Sequence, residues 1–211
     1  MAELTFWTNP MSRGRTVRWA LEEIVAATGA TYETEIVDFR AKTSEFLAVN
    51  PMGKVPTIRH GTTVVTEAAA ICAYLGDAFP AAGLAPAVDA AERGPYYRWL
   101  FFGAGPIEAA MTAATMRFEV PKDHEGTVGW GSLDRVLDTL EGALAGGGWL
   151  AGERFTMADL YIGLSLGWGM MFGAIPKRPA FEDYTGRALS RPAAVRAREI
   201  DDALMPKETA E

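Results

Sequence analysis

The spacing of apolar positions changes several times along the first 80 residues. Leu4-Thr5-Phe6-Trp7 is a short apolar run of strand length. Val17, Leu21, Ile24 and Val25 then recur at helical spacing, and Gly29 closes that helix. Residues 32–37 alternate, which predicts a half-buried strand. Residues 41–49 are weakly helical and run into the break at Asn50-Pro51. Two short strands follow, near 57–60 and 62–65, about a turn at Gly61. Ile71, Leu75 and Ala78 share one face of a helix predicted from about Thr66 to Phe79. The order β-α-β-α-β-β-α implies a small sheet covered by helices.

The pattern changes again at residues 80–90, P-A-A-G-L-A-P-A-V-D-A, which read as a linker. Beyond it no strand is predicted. Helical stretches are expected near 92–118, 127–145, 157–172 and 190–204. In R-F-T-M-A-D-L, Thr156 and Asp159 stand three apart as a helix-start pair, flanked by Phe155 and Leu160 as a hydrophobic staple. That is a folding signal with no chemistry attached.

Composition narrows the possibilities. The 211 residues are 49% hydrophobic and 22% charged, enough to bury a core. The net charge is −7, and neither side of residue 80 is basic, which argues against a nucleic-acid partner. The single cysteine, Cys72, allows no internal disulfide and fits a reducing compartment. The start M-A-E-L-T-F-W has no basic segment of signal-peptide type. Residues 161–175 are too short and glycine-rich to span a membrane. The expectation is a soluble cytoplasmic protein without a membrane partner.

Only His60 and His124 are present, too few for a histidine-based metal cluster or a serine–histidine hydrolase. No glycine-rich phosphate loop occurs. Two helix starts, at Ser12-Arg13-Gly14 and Thr66-Glu67-Ala68, are natural anion sites through their free N–H groups and dipoles. Such ends suit a carboxylate or a thiolate. Between them lies N-P-M-G-K-V-P-T-I, where Pro56 opens a strand from which it removes a donor.

Four segments in this order, T-N-P-M-S-R-G-R, N-P-M-G-K-V-P-T-I, T-E-A-A-A-I-C-A-Y-L and G-E-R-F-T-M-A-D-L-Y-I-G, resemble the cytosolic glutathione transferases across nearly the whole chain, the bacterial members in particular. The resemblance implies an α/β thioredoxin-like N-terminal domain (1–80) that binds glutathione. A linker (81–90) and an all-α C-terminal domain (91–211) that binds the electrophile would follow, in a homodimer. It implies glutathione as co-substrate, no metal, and conjugation to small hydrophobic electrophiles. Pro56 would be cis, leaving Val55 to pair with the cysteinyl backbone of glutathione, a strand addition. Lys54 would lie near the glycyl carboxylate or the thiol. Glu67 would accept the γ-glutamyl ammonium, and the N–H of Ala68 would bind the γ-glutamyl carboxylate. Lys42 is a further candidate contact.

Two positions depart from the family pattern. Serine usually follows the Glu or Gln; Ala68 keeps the N–H and lacks that hydroxyl, which would weaken glutathione binding by about 1–2 kcal/mol if nothing compensates. Asn9 stands where some classes have a catalytic tyrosine, and the loop has no cysteine. The remaining candidate for thiol activation is Ser12, of serine-type classes, with Asn9 and Arg13 as helpers or rivals. Ser12 would also serve as a plain helix cap, and Arg13, Arg15 and Arg18 as salt-bridge residues. Tyr97, Phe101, Met111 and Trp168 are the candidates for an apolar substrate pocket. Two alternatives stay open: a non-enzymatic glutathione-binding or scaffold protein of the same fold, and thiol exchange through Cys72.

Overall fold

The structure, a computed structural model, describes residues 3–205; the outermost residues of the two expected domains, 1–2 and 206–211, lie outside the described residues. The first part has the strands β1 (Leu4–Thr8), β2 (Tyr32–Ile36), β3 (Thr57–His60) and β4 (Thr63–Thr66). Its helices are α1 (Gly14–Thr28), α2 (Ser44–Val49) and α3 (Ala68–Ala78). The strands form one mixed sheet in the order β2-β1-β3-β4, with β1 parallel to β2 and antiparallel to β3. This is the thioredoxin-like arrangement the sequence implied.

One face of the sheet supplies Leu4, Phe6 and Ile58, and α1 and α3 supply Val17, Leu21, Ile24, Ile71 and Leu75, all buried. Each such side chain contributes roughly 1.5–3 kcal/mol by leaving water. Gly29, at φ 72°, ends α1 in the left-handed region where glycine has no steric penalty. β2 was expected to be half-buried, but residues 33–36 are exposed. It is an edge strand with one neighbour, so its alternation is not matched by a covered face.

The helical part contains α4 (Arg93–Phe102), α5 (Glu108–Met116), α6 (Leu133–Leu144), α7 (Met157–Met171), α8 (Pro179–Leu189) and α9 (Pro192–Ala203). The single helix expected near 92–118 is divided by a π-helical turn, Gly103–Ile107, that contains Pro106. A proline inside a helix removes one backbone donor and crowds the preceding turn. α6 starts later than expected, at Leu133, where the Ser132 hydroxyl caps the N–H of Arg135 at 3.3 Å. α8 was not expected, although Phe181, Tyr184, Thr185 and Ala188 are buried at helical spacing. The buried helix α7 packs against both α4 and α8.

Two compact units result. Of the described residues, one unit takes in those up to Ala82 together with those from Arg191; the other spans Gly83–Ser190. The grouping differs from the sequence-based division because α9 packs along α1, so the last helix joins the unit that holds the sheet. Among the described residues no helix is long and apolar enough to cross a membrane, and no group of three or more His, Cys, Asp or Glu is placed to hold a metal.

Candidate active site

Strand register brings the candidate residues of the first unit to one end of the sheet. Trp7 of β1 pairs with Thr57, the first residue of β3, and Thr57 pairs with Thr66, the last of β4. The loop leaving β1 (9–13), the loop entering β3 (54–56) and the start of α3 (67–69) therefore open at the same end. Thr8 is partnered by Ile36, so the chain after β2 arrives there too.

The loop after β1 is organised by Asn9. Its Nδ2 donates to the carbonyl of Val37 at 2.9 Å, and its Oδ1 accepts from the N–H of Met11 at 2.9 Å. Its own carbonyl accepts from the N–H of Ser12 at 3.1 Å and from the Ser12 hydroxyl at 2.7 Å. The Ser12 oxygen in turn accepts the N–H of Gly14 at 2.9 Å. Ser12 is thus a half-buried local cap whose one proton is directed to Asn9. Arg13, exposed, is the N-cap residue of α1.

Arg15 and Arg18, three apart on α1, both turn toward α9. The Arg15 Nε donates to the carbonyl of Pro10 at 2.6 Å and its Nη1 to Asp202 at 2.7 Å. Arg18 is 2% exposed and pairs at 3.2 Å with Asp201, itself 1% exposed. Its Nη1 also donates to Tyr32 and Thr34. Arg18 is a core residue, and a contact with a bound ligand is closed to it by burial.

The loop before β3 is set by two residues that sequence reasoning did not single out for this purpose. Asn50 is buried, and its Nδ2 donates to the carbonyl of Lys54 at 2.8 Å and to the Thr57 hydroxyl at 3.0 Å. Thr57 donates to the same Lys54 carbonyl at 3.1 Å. The signal was the Asn-Pro dipeptide, which marks a turn whose amide side chain can bond its own backbone. Gly53 stands at φ 61°, again in the left-handed region. The Lys42 Nζ lies 3.4 Å from where a Cβ on Gly53 would be. Lys42 precedes α2 rather than lying in it, since Thr43 is the N-cap; the two lysines are brought to the same loop. The Val55–Pro56 bond is cis. Val55 is half-buried and precedes the β3 ladder, so its backbone groups are outside the sheet's pairing.

At the third segment, Glu67 caps α3 at φ 68°, ψ 116°. Positive φ in a non-glycine residue costs on the order of 1–3 kcal/mol and gathers at functional sites. Glu67 is exposed, while Ala68 and Ala69 behind it are buried. The first N–H groups of this 11-residue helix have no carbonyl one turn back to bond.

Cys72 is fully buried on α3, and burial pushes its thiol up to about 12. It is not available as a thiolate. In the second unit, Tyr97 and Phe101 stand together on α4 with ring centroids 6.3 Å apart, and Phe101 is 67% exposed. Met111 on α5 and Trp168 on α7 are half-buried. A cavity of about 310 Å³ in this unit is lined by others, among them Phe102, Pro106, Trp130 and Val136. Its glycine-rich wall, residues 126–131, carries no helical or strand period that a sequence reading could follow.

Comparison with known proteins follows the same outline. The family models described as glutathione S-transferase N-terminal domain and C-terminal domain match residues 2–77 and 108–192. Glutathione S-transferase GstA of Escherichia coli O157:H7 is 33% identical over 125 residues, covering 59% of this chain and 61% of that protein, somewhat under two thirds of its length. A glutathione transferase from Methylococcus capsulatus superposes with a TM-score of 0.78 at 30% identity, covering 95% of this chain and 99% of that one. A sphingomonad glutathione S-transferase, solved in complex with glutathione, gives 0.76 at 30% identity over 94% and 98%.

Proposed function

Because this chain belongs to the glutathione S-transferase family, we propose that it is a glutathione transferase whose binding site is formed by the three loops at the end of the sheet. The observation that carries the assignment to these residues is Glu67, held at positive φ with its carboxylate exposed at the head of α3. Glutathione lies across the three segments. Its cysteinyl backbone pairs with Val55 beside Pro56, as an added strand. Its γ-glutamyl carboxylate takes the N–H of Ala68, and its ammonium faces Glu67. Lys54 and Lys42 offer positive charge to the glycyl carboxylate.

The thiol then sits by the loop after β1, at the start of α1, where the helix dipole favours the anion. Ser12 donates to the thiolate once its proton turns from the Asn9 carbonyl, and Asn9 and Arg13 hold or share that role. The thiolate attacks an electrophilic carbon. A C–S bond forms, the leaving group departs with its electron pair, and the thiol proton goes to solvent. The electrophile is small and hydrophobic, bound on the helical domain with Tyr97, Phe101, Met111 and Trp168 as candidate contacts. The working form is a cytoplasmic homodimer.

The test is a glutathione titration of the purified protein followed by ultraviolet difference absorbance of bound thiolate near neutral pH. Saturable binding with a thiolate signal that weakens in Ser12→Ala supports the proposal. No saturable binding would sink it. Binding without any thiolate signal would favour the scaffold reading, toward which the engagement of the Ser12 proton by Asn9 points.

A further inference from the structure

The loop that carries Ser12 is gripped from the end of the chain. Arg15 takes the Ser12 carbonyl with its backbone N–H at 3.2 Å and the Pro10 carbonyl with its Nε at 2.6 Å. Two carbonyls of the Asn9–Ser12 turn, those of Pro10 and Ser12, thus end on one residue. The guanidinium is planar, so its direction is fixed once a second N–H is committed. Asp202 on the last turn of α9 commits it, at 2.7 Å. The neighbouring Asp201 fixes the parallel point one turn along, where it pairs with buried Arg18. Two consecutive acids of α9 therefore hold two arginines of α1, and the outer pair reaches the loop.

We propose that Arg15 is a positioning residue of the thiol site, set by Asp202 of α9 and acting through the Pro10 carbonyl. The proposal rests on the glutathione transferase reading. Among the described residues, the charged groups tied to this contact are Asp202, which pairs with Arg15, and the adjoining Arg18–Asp201 pair on the same two helices. A direct electrostatic role and a positioning role predict opposite signs. If the Arg15 charge acted on the thiolate itself, neutralising Asp202 would release that charge and lower the thiol pKa. If Arg15 acts by holding the loop, the same change loosens the turn and raises it.

Asp202→Asn is the decisive variant, because its side chain is 57% exposed and the change is nearly isosteric. The expected result is a bound-thiol pKa raised by about half a unit and a kcat/KM for glutathione and chlorodinitrobenzene lowered about three- to tenfold, mostly in kcat. Amide exchange at Met11 and Ser12 should quicken in the unliganded protein. Arg15→Ala should move each readout further in the same direction. Arg15→Lys should restore little, since an ammonium cannot span both acceptors. A thiol pKa that falls or stays put in Asp202→Asn, with exchange unchanged, overturns the proposal. Wild-type protein that binds no glutathione overturns the functional reading instead, and amide exchange still reports on the clamp. Should Arg15→Ala not fold, Asp202→Asn alone decides.

Discussion

Gly14→Ala joins the fold to the site in one substitution. A Cβ there would fall 1.9 Å from the Thr8 hydroxyl oxygen, about 1.5 Å short of the 3.4 Å at which ordinary contact begins. It would also lie 3.1 Å from the Thr8 Cβ and 3.0 Å from the Ser12 Oγ. Turning the Thr8 side chain does not relieve the clash, because its Cβ stays 3.1 Å away on a strand whose carbonyl is held by the Val37 N–H at 2.8 Å, and the residue is fully buried. The start of α1 must therefore move off the end of β1. Overpacking of this kind destabilises by about 1–3 kcal/mol, while alanine gains up to about 1 kcal/mol over glycine inside a helix. The net expectation is a loss of about 1–2 kcal/mol, read as a urea midpoint lowered by about 0.5–1 M. Ser12 moves with the helix start, so kcat/KM should fall further than stability does, by up to about a hundredfold. Thr8→Ala removes the 1.9 Å contact and leaves only the 3.1 Å and 3.0 Å ones, so in that background Gly14→Ala should cost little. A coupling energy of about 2 kcal/mol in the double-mutant cycle is the expected reading. A Gly14→Ala protein as stable and active as the parent would refute the close approach of α1 to β1.

Asp159 accepts four hydrogen bonds, from the N–H of Leu150 and Thr156 and the hydroxyls of Thr156 and Tyr184. Asp159→Ala orphans several buried donors and should destabilise by about 3–5 kcal/mol in urea unfolding; a change under about 1 kcal/mol would contradict this network. Tyr32 is raised from 10.0 to about 12, first by burial and then by its bond to Glu22, against the pull of Arg18. The folded state favours the protonated phenol, so its contribution is fully present below about pH 10 and is lost as pH rises toward about 12. Tyr32→Phe should flatten the alkaline decline of stability in that window. Cys72 should resist iodoacetamide in the native protein near neutral pH and label fully after unfolding, as its burial requires.

Much of this was legible in the chain. Local signals set local structure: Gly29 after an amphipathic run gave the end of α1, and Thr156 with Asp159 gave the start of α7. Those signals act within one helical turn, where sequence distance and spatial distance agree. β2 misled for the opposite reason, since alternation reports a strand but not whether a second layer covers it. The division of 92–118 was signalled by Pro106 between glycines, yet whether a proline kinks, ends or bulges a helix depends on what surrounds the freed carbonyls. The candidate residues were found by type and order, while their partners were not. That Ser12 bonds Asn9, that Asn50 holds the Lys54 carbonyl, and that Lys42 reaches Gly53 all depend on loop geometry.

The sequence by itself determined which segments become strands and helices in the first unit, and that two helix starts and a Val-Pro loop lie between them. Periodicity and turn chemistry are short-range, so a linear reading captures them. Only the tertiary structure decided what faces what. Strand register brought three distant loops to one end of the sheet, burial removed Cys72 and Arg18 from chemistry, and α9 returned across α1 to set Arg15. The pairings that do this join residues up to 187 positions apart. A contact at that separation leaves no period in the chain; it exists only once the helices between have packed.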